Sequence, residues 1–155
     1  MKNNNIVIEP VKDFNTRLIS QIEELEIEAF GKEAASNHWL IPVIIRYGRA
    51  IIARITDGRL LGVCLSIKSW NNGQTAYIHS FHLRDGYRRR GIGTSLLYET
   101  IHIYKNENIN TVELTVNPEN KGAICFYQKH NFKVDGIRRN EYGTGKDRYL
   151  MRLKL

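Results

Sequence analysis

Arg88-Arg89-Arg90-Gly91-Ile92-Gly93 joins an alternating apolar run that ends at Leu83 to a helical apolar pattern that begins at about Thr94, and this junction decides how the chain is read. Glycine at 91 and 93 opens backbone conformations closed to other residues and lets a ligand approach the main chain closely. Successive N–H groups in such a turn point into one concavity, and the following helix adds the positive end of its dipole. Arg88, Arg89 and Arg90 supply mobile positive charge at the same mouth. The stretch reads as a cradle for a pyrophosphate, with a solvated basic turn as the alternative. Spacing excludes two other phosphate loops: no third glycine completes a dinucleotide fingerprint, and no Lys-Ser/Thr follows as a nucleoside-triphosphate loop requires.

Downstream, Val112 to Val116 reads as a strand, Asn117 to Asn120 as a loop, Lys121 to His130 as a helix and Asn131-Phe132 as a turn. Arg88-x-x-Gly91-x-Gly93 and the later set Asn120, Ala123, Tyr127, Lys129 and Phe132 together resemble the paired motifs of the GNAT superfamily of N-acetyltransferases. The resemblance extends from about Leu60 to Leu155. It departs from the family pattern at Asn131, where glycine is usual. Asparagine is the next most tolerant residue for a left-handed helix cap.

Composition sets the bounds. A chain of 155 residues, 42% hydrophobic and 25% charged, fits one soluble globular domain over residues 1–155. No apolar run approaches the ~20 residues that span a bilayer, and no signal-peptide core follows Met1, so no membrane is expected and the cytoplasm is the expected location. Cys64 and Cys125 fit no metal spacing and lie in apolar elements, so buried, inert thiols and no metal are expected. The net charge is +7, with 9 basic against 3 acidic side chains in residues 121–155. Such a bias suits a phosphorylated cofactor, an acidic acceptor, a membrane surface or nucleic acid. Without a nucleic-acid motif, or aromatics interleaved with the arginines, a basic nucleic-acid module is the weaker alternative.

Periodicity predicts a strand at Ile6-Val7-Ile8 and an amphipathic helix through Leu18, Ile22, Leu25 and Ala29, ending near Gly31 with its glutamates on the solvent face. A second helix or helical turn is expected over Asn37 to Tyr47, weakened or bent by Pro42. Strands follow at Ala50 to Thr56, Leu60 to Ser69 and Thr75 to Leu83, with turns at Asp57-Gly58 and Asn72-Gly73. A helix after Gly93 buries Leu96, Leu97, Ile101 and Tyr104, and strands at Lys133 to Arg139 and Arg148 to Leu155 close the chain. The fold class is α+β: a mixed, mostly antiparallel sheet of six to seven strands with about four helices. The resemblance further implies that the sheet splays between the strands ending at Leu83 and Val116.

The same resemblance implies an acetyl-coenzyme A-dependent N-acetyltransferase acting directly on a primary amine of a small molecule or peptide. The alternative of this fold is a non-catalytic acetyl-coenzyme A sensor. Arg88, Arg89, Arg90, Gly91, Ile92, Gly93 and Thr94 would hold the pyrophosphate; the backbone of Phe81, His82 and Leu83, with Asn117 and Asn120, would contact the rest of the cofactor. Tyr127 takes the family's tyrosine position and would assist the departing sulfur. Tyr77 stands where some members carry glutamate, leaving Tyr77, His79 or Glu113, through water, as candidates for the base. Acceptor contacts are expected from Glu33, His38 and Trp39 in the Phe30 to Tyr47 segment and from Glu141 and Tyr142 in the 140–146 loop. A homodimer is the modest favourite for the assembly.

Overall fold

The computed structural model describes residues 6–155. Its elements are β1 (Ile6–Pro10), α1 (Thr16–Phe30), α2 (Ile41–Tyr47), β2 (Arg49–Ile55), β3 (Leu60–Lys68), β4 (Thr75–Leu83), α3 (Ile92–Asn106), β5 (Thr111–Val116), α4 (Lys121–Lys129), β6 (Lys133–Arg138) and β7 (Arg148–Lys154). The strands form a seven-stranded, mostly antiparallel sheet in the order β1-β2-β3-β4-β5-β7-β6, with β4 and β5 parallel. This is the α+β class that the sequence predicts. Among the described residues no helix is long and apolar enough to cross a membrane. The chain gathers into two compact units: residues up to Ile67 with Ser80–Ile103, and Lys68–His79 with Tyr104–Leu155.

In the first unit, β2 alternates. Ala50 and Ile52 join Ile22 and Leu25 of α1 and Ile41, Ile44 and Ile45 of α2, whereas Ala53 and Ile55 join Ile92 of α3. On β3 that alternation is broken, since Arg54 pairs with Leu60 and Ala53 with Gly62. The unpaired Leu61 is a bulge, so Leu60 packs with α1 and α2 while Leu61 turns to the Ile92 cluster. One extra residue thereby lets the continuous apolar run Leu60 to Leu65 be buried on both faces. The β2–β3 turn is the predicted Asp57-Gly58, with Gly58 at φ +90°.

Three expectations need correction here. The second helix starts at Ile41 rather than Asn37, because Asn37 folds a turn around its own side chain, accepting from the N–H groups of Trp39 at 3.1 Å and Leu40 at 3.2 Å. Pro42 therefore falls in the first helical turn, where its missing N–H costs nothing. The glutamates of α1 do not all face solvent, since Glu26 is 1% exposed. Cys64 is buried as expected, but Cys125 lies on the exposed side of α4.

In the second unit, β5 and β7 place Val112 opposite Leu153, Leu114 opposite Met151 and Val116 opposite Tyr149, with Glu113 opposite Arg152 on the other face. Asp135 is a bulge in β6, and its carboxylate also reaches Arg152. α4 starts on Asn120, whose side chain accepts from the Ala123 N–H at 3.1 Å. It ends at Asn131, φ +67°, while the Phe132 N–H returns to the Tyr127 carbonyl. The asparagine thus does what glycine does in the family motif. The parallel register of β4 and β5 runs from Thr75↔Thr111 to Ile78↔Leu114; β4 continues to Leu83 and β5 to Val116.

Candidate active site

The arginine-glycine stretch forms an open, positively charged turn. Arg89 (φ +60°) and Gly91 (φ +80°) alternate with residues of ordinary backbone, which gathers main-chain N–H groups on one side. α3 begins at Ile92, and the first intrahelical bond is Ser95 N–H to the Gly91 carbonyl, so the N–H groups of Ile92, Gly93 and Thr94 have no helical acceptor. A β-carbon built on Gly91 would meet nothing within 4 Å, so the space above it is open. Arg88 rests on Asp85 at 3.2 Å and Arg90 lies over the Tyr87 ring at 5.4 Å; all three arginines are exposed. Backbone donors, a helix N-terminus and exposed guanidinium groups together fit a pyrophosphate-bearing cosubstrate.

Along β4 the side chains keep a strict alternation, with Ile78, Ser80 and His82 buried and Tyr77, His79, Phe81 and Leu83 less so. Ser80 donates a hydrogen bond to Glu26 and lies 3.2 Å from His82 Nδ1. His82 Nε2 is buried without a hydrogen-bond partner among the described residues, and Phe30 stacks edge-on against its ring at 5.3 Å. Burial pushes the His82 pKa below its ordinary 6.5, against the opposing pull of Glu26. Sequence reasoning missed this cluster. The signal was the shared parity of Ser80 and His82, but nothing in the sequence aimed Glu26 inward.

In the second unit the structure brings Tyr77 and Tyr142 together through a residue not foreseen, Thr115. The Tyr77 hydroxyl lies 2.9 Å from Thr115 Oγ1 and 3.3 Å from the Tyr142 hydroxyl, and Thr115 Oγ1 lies 3.4 Å from Tyr142. The parallel register could have revealed Thr115: Tyr77 pairs with Glu113, and Thr115 is the next residue on that face. Burial drives the Tyr77 pKa well above the ordinary phenol value, with the Thr115 hydrogen bond opposing. At neutral pH it is a hydroxyl, not a phenolate. Glu113 is taken up by Arg152, whose Nε and Nη2 reach one carboxylate oxygen at 2.8 and 2.6 Å. Tyr127 is buried, edge-on to Phe126 and Phe132. The Asn117 and Asn120 side-chain oxygens serve the Glu119 and Ala123 N–H groups, leaving each amide NH2 as a donor.

Of the other acceptor candidates, His38 and Trp39 pack ring to ring at 5.2 Å. Trp39 is 77% exposed and is no core residue. His38 approaches Glu23 at 3.4 Å, Glu33 is exposed, and Glu141 pairs with Arg138 at 3.1 Å. His79 is exposed on β4.

A mostly antiparallel seven-stranded sheet with one parallel pair and four helices is the mixed α/β fold that solved acetyltransferases share. The model of the acetyltransferase (GNAT) family matches residues 17–132, and the chain belongs to that family. It is an acetyl-coenzyme A-dependent acyltransferase. The chain is 28% identical over 124 residues to an N-alpha-acetyltransferase of Saccharolobus solfataricus, covering 74% of each. Among solved structures it is similar to Ard1 from Thermoplasma volcanium, with a TM-score of 0.83 at 21% identity over 97% of both chains. It is also similar to Arabidopsis thaliana Naa50 in complex with the bisubstrate analogue CoA-Ac-MVNAL, with a TM-score of 0.74 at 22% identity over 97% of this chain and 99% of that one.

Proposed function

We propose that the acceptor is the α-amino group of a peptide or protein N-terminus. The carrying observation is the hydroxyl cluster Tyr77–Thr115–Tyr142, which couples a β4 tyrosine to the 140–146 loop that the sequence marks for the acceptor. The relatives' names agree: one is an N-alpha-acetyltransferase and a structural neighbour holds a peptide-bearing analogue. Direct transfer to an amine needs that amine neutral, the reactants aligned and a proton for the departing sulfur.

Acetyl-coenzyme A, when bound, would supply the acetyl group to the amine nitrogen, and its coenzyme A part would depart as the thiolate when the C–S bond breaks. Arg88, Arg89 and Arg90, with the backbone of Gly91, Ile92, Gly93 and Thr94, hold its pyrophosphate. The backbone of Phe81, His82 and Leu83 and the amides of Asn117 and Asn120 orient the remainder. Tyr77 is kept protonated by burial, so it receives the amine proton only by passing its own along Thr115 and Tyr142 or a water. His79 can take up that proton from the exposed side of β4. The Tyr127 hydroxyl hydrogen-bonds the leaving sulfur. Trp39 supplies aromatic contact for the first residues of the peptide.

A thiol-release assay tests this over a panel of peptides with free N-termini, among them Met-Val-Asn-Ala-Leu, beside polyamines, aminoglycosides and lysine side-chain mimics. Turnover of the peptides alone is expected. Turnover confined to small amines overturns the acceptor, and binding of acetyl-coenzyme A with no thiol released from any amine marks a sensor.

A further inference from the structure

α1 carries one carboxylate into the interior, and both of its oxygens are committed. Glu26 Oε2 accepts the Ser36 N–H at 3.1 Å, and Oε1 accepts the Ser80 hydroxyl with His82 Nδ1 3.5 Å away. Glu26, Ser36, Ser80 and His82 are all buried. Burying a carboxylate is costly, and a packed helix normally places an aliphatic residue at such a position. Leu25 and Ile22 fill the neighbouring core positions of the same helix. What Glu26 does that a leucine could not is to hold three separate pieces of chain at once: its own helix, the 31–40 connection at Ser36, and β4 at Ser80 and His82.

The next residue after Ser36 explains what is being held. Asn37 folds the turn that starts α2, accepting from the N–H groups of Trp39 and Leu40, and Ile41 N–H returns to the Asn37 carbonyl at 2.9 Å. That turn projects Trp39 into solvent. Hydrogen bonds therefore tie β4 through Ser80 and Glu26 to the Ser36 backbone, and the next residue in the chain, Asn37, holds the backbone N–H of Trp39. We infer that Glu26 is a positioning residue for the acceptor: it fixes the Trp39 turn relative to the strand whose Phe81–Leu83 backbone is assigned to the thioester. This rests on the reading above that Trp39 meets the peptide. His82 belongs to the same unit as a filler of the Glu26 and Ser80 side, covered by Phe30, rather than as a group that touches substrate.

The test compares Glu26→Gln, Ser80→Ala and Trp39→Ala in the full chain, measuring KM for the Met-Val-Asn-Ala-Leu peptide, kcat, the acetyl-coenzyme A dissociation constant by calorimetry, and the thermal midpoint. Glu26→Gln keeps an oxygen for Ser36 but meets Ser80 with an amide, and Ser80→Ala removes one donor without touching Ser36, so the two variants disturb the cluster differently and the thermal midpoint reports the folding of each. Both are expected to raise the peptide KM by about tenfold, the size of one misplaced contact, with the acetyl-coenzyme A constant unchanged within about twofold. A fall in thermal midpoint with both constants unchanged, or a loss of both ligands together, overturns the inference and leaves Glu26 as a structural residue. Trp39→Ala separates the two readings. If it raises the peptide KM while Glu26→Gln does not, only the positioning role falls; if Trp39→Ala has no effect, the acceptor reading fails and the role built on it fails too.

Discussion

Tyr127 and Tyr77 are both tyrosines shielded from water, yet their hydroxyls are assigned opposite tasks, and the difference lies in their neighbours. Tyr77 sits among other hydroxyls and is held protonated, whereas Tyr127 is packed between Phe126 and Phe132. Tyr127→Phe removes one oxygen and keeps the ring, so fold and acetyl-coenzyme A affinity should persist while kcat falls ~100-fold, the range of a lost general acid. Single-turnover kinetics checks this, and unchanged chemistry would remove Tyr127 from the mechanism. His82 gives a second residue-scale expectation. Its folded pKa lies below the unfolded 6.5, so above pH 6.5 both states are neutral and His82 has no effect. As pH falls below 6.5 the unfolded chain gains a proton that the folded one resists, and stability is lost. Thermal midpoints should therefore fall between about pH 6.5 and 5 less steeply in His82→Gln than in the parent. Of these residues Tyr127 was legible through motif spacing, because spacing survives without coordinates. Glu26, Ser80, His82 and Thr115 were not, because their meaning depends on which strands and helices come together.

At the level of elements, what was legible follows from local chemistry. Asp57-Gly58 and Asn131 declared their turns because positive φ restricts residue choice, and their observed angles agree. The α2 boundary was misjudged by four residues because Asn37 satisfies the backbone of a turn with its own side chain, a competition that apolar periodicity cannot see. The Leu61 bulge was likewise hidden, since a run buried on both faces has no alternation to break. The phosphate turn lies at the legible end of this range and yields a sharp expectation. Gly91 has φ +80° with open space at its β-carbon, so Gly91→Val suffers backbone strain rather than a clash, ~1–2 kcal/mol of stability. The displaced N–H groups and the added methyls stand where the pyrophosphate is assigned, so acetyl-coenzyme A affinity should fall at least tenfold, a loss of ~1.4 kcal/mol or more in binding alone. Calorimetry beside urea unfolding separates the two, and normal binding would end the assignment of this loop.

For the molecule as a whole the question is what its net charge of +7 does. Composition alone places the basic excess in the C-terminal third, which invites a nucleic-acid reading. Much of that charge already has partners on the protein: Arg139 pairs with Asp147 at 2.5 Å, Arg138 with Glu141, and Arg152 with Glu113 and Asp135, while Arg148 lies over the Tyr142 ring at 5.0 Å. Asp147 is held below the usual carboxylate range by the Asn140 N–H and Arg139, which keeps that pair ionised to low pH. A phosphate approaching there would compete with carboxylates already in place. At Arg88, Arg89 and Arg90 the situation differs, because among the described residues only Arg88 has a carboxylate contact, an exposed one with Asp85 that water and salt screen readily. Electrostatic capture of acetyl-coenzyme A is therefore expected to depend on these three side chains and on ionic strength, weakening as the Debye length shrinks below ~10 Å near 0.1 M salt. Arg88→Ala should weaken affinity at low salt and flatten its salt dependence, whereas Arg139→Ala, which deletes a charge already neutralised by Asp147, should change neither. Calorimetric titrations at about 50 and 200 mM salt decide it: an equal response of the two variants would mean that the overall charge, not the phosphate turn, draws the cosubstrate in.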